Sequence, residues 1–200
     1  LYTQRGIMVG PSGRYASATS PGRMQGFFRS GYISDHGTKG VDLLDRPIPE
    51  RRAFAEWQHR QILAPDLTLV AQANWWRDSE VVRDFRPRAF FPVQEPDTFA
   101  EATYTGANYF LSAFTRLQPN SFHRVQERLP EIRFDLLPLA LPSGFYHRCN
   151  ASAAVLREDP VGPGTPLRSD RLDGYYAIFR PITPREWFAF TPVAGARITH

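Results

Sequence analysis

Apolar and polar side chains alternate along most of this chain with a period of two. Around Ile132, Phe134 and Leu136, each apolar residue is separated from the next by a charged one. Because a strand points successive side chains to opposite faces, this pattern predicts a strand with one apolar and one polar face. The same alternation recurs in 51–62, 66–77 and 144–156.

The alternation predicts an all-β chain of about ten antiparallel strands. We place them at 12–19, 23–34, 51–62, 66–77, 99–106, 108–117, 129–137, 144–156, 171–180 and 186–199. Residues 1–9 are a candidate for an eleventh. The 18 Pro and 14 Gly residues argue against long helices.

Short and long connections alternate between these strands. The short ones are 20–22, 63–65, residue 107, 138–143 and 181–185; the long ones are 35–50, 78–98, 118–128 and 157–170. An up-and-down outer-membrane barrel has tight turns at one rim and long loops at the other. A soluble sandwich has Greek-key connections and no reason for this alternation. The pattern therefore favours an up-and-down barrel wall.

Several charged residues fall on the predicted polar faces, where a barrel would direct them into its lumen. They are Glu56, Arg60, Glu101, Glu131, Arg133, Asp135 and Arg148. Guanidinium groups bind phosphates and carboxylates through paired hydrogen bonds, so the arginines are candidates for contacting an anionic glycolipid. The simpler interpretation is that they form ion pairs with the neighbouring acids.

Aromatic residues gather near the predicted strand ends. They are Trp57, Trp75, Trp76, Phe145, Tyr146, Tyr175, Tyr176, Trp187 and Phe188. The girdles of a membrane barrel place aromatics there, because these rings combine an apolar body with a polar tip. A soluble β-sandwich also buries aromatics in its core, so this feature leaves both architectures open.

Composition excludes some classes of function. The net charge is +4, with Lys39 the single lysine among 24 basic residues, and this scattered excess does not predict a nucleic-acid surface. No apolar run approaches the roughly 18–20 residues of a membrane helix. The single cysteine, Cys149, cannot form a disulfide within the chain.

No motif combines catalytic residues with the local structure that they need. Glu56 and His59 resemble half of a zinc motif, but that motif needs a helix and a second histidine where Leu63 stands. Asp35 and His36 form half of an acid–base pair, and Ser34, His36 and Asp42 can be drawn as a triad, yet no nucleophile elbow surrounds them. We therefore expect no enzyme, metal or cofactor.

A cluster of acids, Asp78, Glu80 and Asp84, follows an aromatic strand end in the segment R-D-S-E-V-V-R-D-F. Carboxylates grouped in this way can bind a divalent cation. The alternative is a hydrogen-bonded anchor for the loop, which we favour. Two further segments stand out: Arg51–Arg60 before this loop, and Arg128–Asp135, which reads R-L-P-E-I-R-F-D.

In their order and spacing, these segments resemble the LptD family of lipopolysaccharide-assembly proteins, also called OstA or Imp. The acidic segment is similar to that family's S-D-x-x-(aromatic)-x-x-D-F loop, with Asp78, Asp84 and Phe85 as the matching residues. Segments 171–173 and 192–197 fit a later hairpin, so the resemblance runs from about Gly22 to His200. Arg77 departs from the family's serine, valines replace its aromatic, and the Pro-rich stretch 86–96 is long.

The resemblance implies a place in lipopolysaccharide transport at the Gram-negative outer membrane. The family forms a very large antiparallel barrel plugged by the lipoprotein LptE. It receives lipopolysaccharide from a periplasmic bridge of Lpt proteins and delivers it to the outer leaflet. Residues 1–200 would be one partial barrel domain, truncated at both ends, with outer-membrane lipid around it. We expect an open, curved sheet, because ten strands cannot close a barrel of that radius.

Two other classes remain open. A porin-like passive channel would share the loop alternation and would carry opposed acidic and basic rows at a constriction. A secreted β-sandwich that binds or hydrolyses carbohydrate would place paired carboxylates beside an aromatic cleft.

Overall fold

The computed structural model of the protein describes residues 4–18 and 22–200. Most of them belong to one antiparallel sheet of ten strands. Its strands are β1 (Ser12–Ser17), β2 (Met24–Ser34), β3 (Arg51–Ala64), β4 (Leu67–Trp76), β5 (Thr98–Thr105), β6 (Tyr109–Leu117), β7 (Gln126–Ala140), β8 (Tyr146–Glu158), β9 (Leu167–Phe179) and β12 (Val193–Thr199). Strands β10 (Ile182–Arg185) and β11 (Phe188–Phe190) form a separate hairpin.

The sheet is an open meander. Its order is β1-β2-β3-β4-β5-β6-β7-β8-β9-β12, so each strand pairs with the next one of the sheet along the chain. Within residues 4–18 and 22–200, the outer edges of β1 and β12 pair with no other strand. The predicted all-β, antiparallel and open sheet is therefore confirmed.

The predicted separation of short and long connections is also confirmed for most of the sheet. Since neighbouring strands are antiparallel, successive connections lie at opposite edges. One edge, the long-loop edge, carries 35–50, 77–97, 118–125 and 159–166. The opposite edge, the short-loop edge, carries 65–66, 106–108 and 141–145. The predicted turn at 20–22 and the candidate strand at 1–9 fall partly outside the described residues.

The last connection differs from the prediction. We expected a turn at 181–185 and one strand over 186–199, but the chain forms the β10–β11 hairpin and then β12. Pro192 lies at the break between β11 and β12, where a residue without a backbone N–H has no hydrogen bond to donate to a sheet. The connection between β9 and β12 therefore spans 180–192 at the edge that otherwise carries short turns.

Strand β7 contains Pro130, as predicted, and also runs past Pro138, where we expected a turn to begin. Its register shifts between Arg128 and Glu131 and again between Leu136 and Leu139. Pro130 and Pro138 lie inside these two irregularities. A bulge takes a residue out of the regular ladder, and so a proline there interrupts no regular pairing.

The longest connection, 77–97, contains two single-turn helices that the alternation did not predict. They are α1 (Val81–Phe85) and α2 (Pro87–Phe90), the second with proline at its start, where no hydrogen bond is lost. Among the described residues, no helix is long and apolar enough to cross a membrane.

The helices of this loop close over the sheet and form its main buried core. That core consists of Ile33, Phe54, Trp76, Val81, Val82, Phe85 and Phe122. Three of these side chains come from β2, β3 and β4, and three from the loop with α1. Their burial fixes the loop against the long-loop end of the sheet.

Candidate functional site

The register divides the sheet into two faces that continue from strand to strand. Arg133 of β7 is opposite Ser112 of β6 and Ser152 of β8, and Ser152 is opposite Asp173 of β9. Residues paired across antiparallel strands point to the same side. We call the side that contains Arg133 the polar face and the other side the apolar face.

All seven charged candidates lie on the polar face. They are Glu56, Arg60, Glu101, Glu131, Arg133, Asp135 and Arg148. The register aligns Arg60, Val70 and Glu101 across three strands, which brings an acidic and a basic candidate onto one row. That this face borders a lumen is still a prediction.

Ion pairs hold Glu56, Glu131 and Arg133, as the simpler interpretation expected, but in the described part of the chain no ion pair forms at the other four candidates, Arg60, Glu101, Asp135 and Arg148. Glu131 accepts hydrogen bonds from Arg128 at 2.5 Å and from Arg133 at 3.0 Å, and its side chain is buried. Glu56 pairs in the same way with Arg29 of the neighbouring strand. A cleft of about 330 Å³ extends from Glu131 and Arg133 towards β9 and β12.

The apolar face carries large side chains that remain exposed. Ile132 is 43% exposed, Leu172 is 56% exposed and Trp57 is 38% exposed. Ile132, Phe134 and Leu136 lie on this side, opposite the charged residues between them, as predicted. Charged residues of the described strands reach this face only towards the long-loop edge, at Arg51, Glu127, Arg157, Arg168 and Asp170. An exposed apolar surface of this kind needs a partner.

A row of aromatic rings crosses the apolar face near the short-loop edge. The ring centroids of Tyr104 and Tyr109 are 5.9 Å apart, and those of Tyr109 and Phe134 are 5.8 Å apart. Trp57 lies on the same face and donates a hydrogen bond to the Tyr15 hydroxyl at 2.9 Å. Trp76, which we grouped with these aromatics, is instead buried on the polar side under the loop.

Arg52, near the start of β3, is the largest fully buried side chain among the described residues. Its side chain is fully buried, and it donates two hydrogen bonds to Asp78, at 3.1 and 2.7 Å. It donates two more, to Asp35 at 3.1 Å and to Asp84 at 2.7 Å. A buried guanidinium is tolerated because these carboxylates satisfy its charge and its donors.

Arg5 and Phe85 complete this arrangement, which we call the Arg52 cluster: Arg5, Asp35, Arg52, Asp78, Asp84 and Phe85. Arg5 donates to both carboxylate oxygens of Asp35, at 3.0 and 2.5 Å, and to Asp84 at 3.1 Å. The guanidinium carbons of Arg5 and Arg52 lie 4.6 and 5.1 Å from the Phe85 ring centre. At these distances, each cation interacts with the face of the ring.

The electrostatics of the Arg52 cluster favour the ionised form of Asp35. Burial by itself raises the pKa of Asp35, but hydrogen bonds from Arg5, the Gly37 N–H and Arg52 outweigh burial. The pKa of Asp35 therefore lies well below its ordinary value. The cluster joins the chain before β1, the end of β2, the start of β3 and the loop 77–97.

The loop residues singled out by the family resemblance, Asp78, Asp84 and Phe85, therefore lie together. Their partners explain the acidic segment as a loop anchor. The Glu80 carboxylate pairs with Arg83 and accepts a hydrogen bond from the Ser79 hydroxyl. Among residues 4–18 and 22–200, no group of three or more His, Cys, Asp or Glu side chains could hold a metal ion.

The other catalytic candidates have separate partners. The Ser34 hydroxyl donates to Glu50 at 3.0 Å, and the His36 ring lies 3.4 Å from the same carboxylate. Asp42 binds Arg46 at 2.8 Å, so the sketched triad does not assemble.

Glu56 and His59, the two residues of the partial zinc motif, lie on opposite faces of β3. His59 shares hydrogen bonds with the Tyr15 hydroxyl and the Gln61 side chain on the apolar face. The strand period thus separates the carboxylate from the ring.

No protein-family model matches this chain, and no curated protein matches it significantly. The resemblance to LptD thus rests on the sequence segments quoted above, and membership of that family stays a prediction.

Proposed function

We propose that this chain is part of the wall of an outer-membrane β-barrel, with its apolar face against lipid and its polar face towards the lumen. The carrying observation is the contrast in composition between the two faces: Ile132, Leu172 and Ile198 leave large apolar surface exposed on one, whereas Glu56, Glu131 and Arg133 carry charge on the other. A water-soluble sheet buries its apolar side instead. Lipid is the partner that satisfies a face of this composition.

Strand lengths support the proposal. Strand β4 has ten residues, and a membrane strand needs about 9–11 residues at a tilt of about 45°. Its apolar-face residues carry no charge from Leu67 to Trp75. An arginine at the bilayer midplane would cost about 2–4 kcal/mol, which explains why charges on this face lie towards one end.

We further propose that the wall serves lipopolysaccharide transport, without catalysis or a cofactor. Lipopolysaccharide, an LptE-like lipoprotein plug and the periplasmic Lpt bridge are the partners that the family resemblance implies. Support comes from two resembling segments that meet in space: Arg52 lies in one, and Asp78, Asp84 and Phe85 lie in the other. These contacts give a structural reason for the presence of both segments in one sequence.

Site-specific photocrosslinking tests this function in Gram-negative cells whose outer membrane contains the protein. A photoreactive residue would replace Ser112, on the polar face, or Ala113, the adjacent residue on the apolar face. We expect lipopolysaccharide adducts at position 112 when transport is active. Adducts at position 113 alone, or at neither position, would contradict transport through the lumen and favour a passive channel.

A further inference from the structure

A cleft of about 610 Å³ lies between the sheet and the loop 77–97. It is lined by three arginines, Arg29 of β2 and Arg86 and Arg88 of the loop. The other lining residues are Met8, Phe85, Pro87 and Ala89. Three of its seven lining residues are arginines and none is acidic. This composition differs from the polar face around Glu131 and Asp173, where acids and bases alternate.

Two of the three arginines have no acidic partner within the described part of the chain. Arg29 pairs with Glu56, but Arg86 and Arg88 form no ion pair there. The Arg86 guanidinium carbon lies 5.4 Å from the centre of the Phe54 ring, which holds that side chain in place without neutralising it. The cleft therefore carries uncompensated positive charge in a concave, partly apolar setting, where the electrostatic field is strongest.

We propose that this cleft is a binding site for a phosphate group. Guanidinium groups match phosphate oxygens with paired, charge-assisted hydrogen bonds, and two of them can share one dianion. Met8, Phe85 and Pro87 give the cleft an apolar side, which suits the organic part of a phosphate ester. The phosphate can belong to a lipid headgroup or to a free soluble anion.

The inference goes beyond the proposed function, because it needs only the charge and shape of this cleft. It holds for a transport wall and for a passive channel alike. Failure of the crosslinking experiment would leave it intact, and failure of phosphate binding would leave the membrane wall intact.

Calorimetric titration of the full chain in a non-ionic detergent tests the site. The probes are inorganic pyrophosphate, dihexanoyl phosphatidic acid, and dihexanoyl glycerol as the lipid that lacks phosphate. We expect pyrophosphate or phosphatidic acid to bind and dihexanoyl glycerol not to bind. Binding of pyrophosphate at least as tight as that of the lipid indicates a free anion, and tighter binding of phosphatidic acid indicates a headgroup.

The decisive variants are Arg86→Gln with Arg88→Gln, compared with Arg77→Gln. Arg77 is an exposed arginine of the same loop that does not line the cleft. We expect the double variant to weaken binding at least tenfold and Arg77→Gln to change it less than twofold. No binding of either phosphate probe, or equal weakening in Arg77→Gln, would overturn the proposal.

A second measurement guards against misfolding of the double variant. Phenylglyoxal modifies accessible arginines of the unaltered protein, and mass spectrometry locates the modified positions. Pyrophosphate should slow modification of Arg86 and Arg88 and leave Arg77 unaffected. Equal protection at all three positions, or protection at none, would refute a specific site.

Discussion

Arg52 and Asp78 form a two-pronged ion pair with almost no access to solvent: Nε and Nη2 of the arginine lie 3.1 and 2.7 Å from the two carboxylate oxygens. Arg52 is near the start of β3, and Asp78 lies two residues beyond the end of β4. The pair therefore fixes the first turn of the loop 77–97 to the neighbouring strand. The position of α1, and with it the phosphate cleft, depends on this contact.

Arg52→Met should weaken the fold strongly. Removing one partner of a buried ion pair leaves the other charge uncompensated and costs about 3–5 kcal/mol. The matched control is Arg51→Met, because Arg51 is the adjacent residue, exposed on the other face. For the control we expect a change of about 0.5 kcal/mol or less. Urea unfolding in detergent, followed by tryptophan fluorescence, measures both; similar losses would contradict the anchoring role.

Acid should loosen the loop through Asp35. Its pKa is lower in the folded state than in the unfolded chain, since hydrogen bonds from Arg5, Gly37 and Arg52 outweigh burial. Such a group contributes stability above its unfolded pKa, about 3.9, and loses it as the pH falls through the folded pKa. We therefore expect the free energy of unfolding to decline below about pH 4.

Asp35→Asn should lower stability at neutral pH and make the acid decline shallower, because one titrating carboxylate is gone. Asp45→Asn is the control. Asp45 is exposed in the same connection, 35–50, and it forms no ion pair among the described residues. Urea titrations from pH 3 to 7 provide the comparison. An acid decline as steep in Asp35→Asn as in the unaltered protein would exclude Asp35 as its source.

A charge on the apolar face should oppose membrane insertion. Ala153 faces Ile132 and Leu172 on that side, whereas the adjacent Ser152 faces Arg133 and Asp173. Ala153→Arg should destabilise the inserted state by about 2–4 kcal/mol, the cost of arginine at the bilayer midplane. Ser152→Arg should cost much less. The amounts of the two variants recovered in the outer membrane of Gram-negative cells measure the difference, and equal amounts would speak against lipid on the Ala153 side.

Period-two alternation predicted the sheet because each strand carries its two faces in its own sequence. The sequence of β7 alone predicts that Ile132 and Arg133 point to opposite faces, whichever strands pair with it. The segment after Arg180 was predicted wrongly, since its apolar residues concealed the interruption at Pro192 between β11 and β12. The short helices were also missed, because the single turn of α1 is too brief for a helical period.

The Arg52 cluster was only partly predictable. Asp78, Asp84 and Phe85 stand out in the sequence, but their partners Arg5 and Arg52 lie far from them along the chain. One clue was present: Arg52 has the same strand parity as Phe54 and Glu56, and it comes directly after the connection 35–50, which is rich in acids. The pairing itself depends on how the loop folds back over the sheet, which periodicity does not encode.

Spin labelling at Cys149 tests the central claim, that the apolar face meets lipid. Cys149 is the single cysteine of the chain and lies on the apolar face, opposite Leu136 and Tyr176. The comparison protein carries Cys149→Ser with Asn150→Cys, which moves the label to the polar face. In isolated outer membranes that contain the protein, we expect the label at position 149 to collide mainly with oxygen and the label at 150 mainly with a water-soluble nickel complex. Equal access of the nickel complex to both positions would contradict the membrane wall.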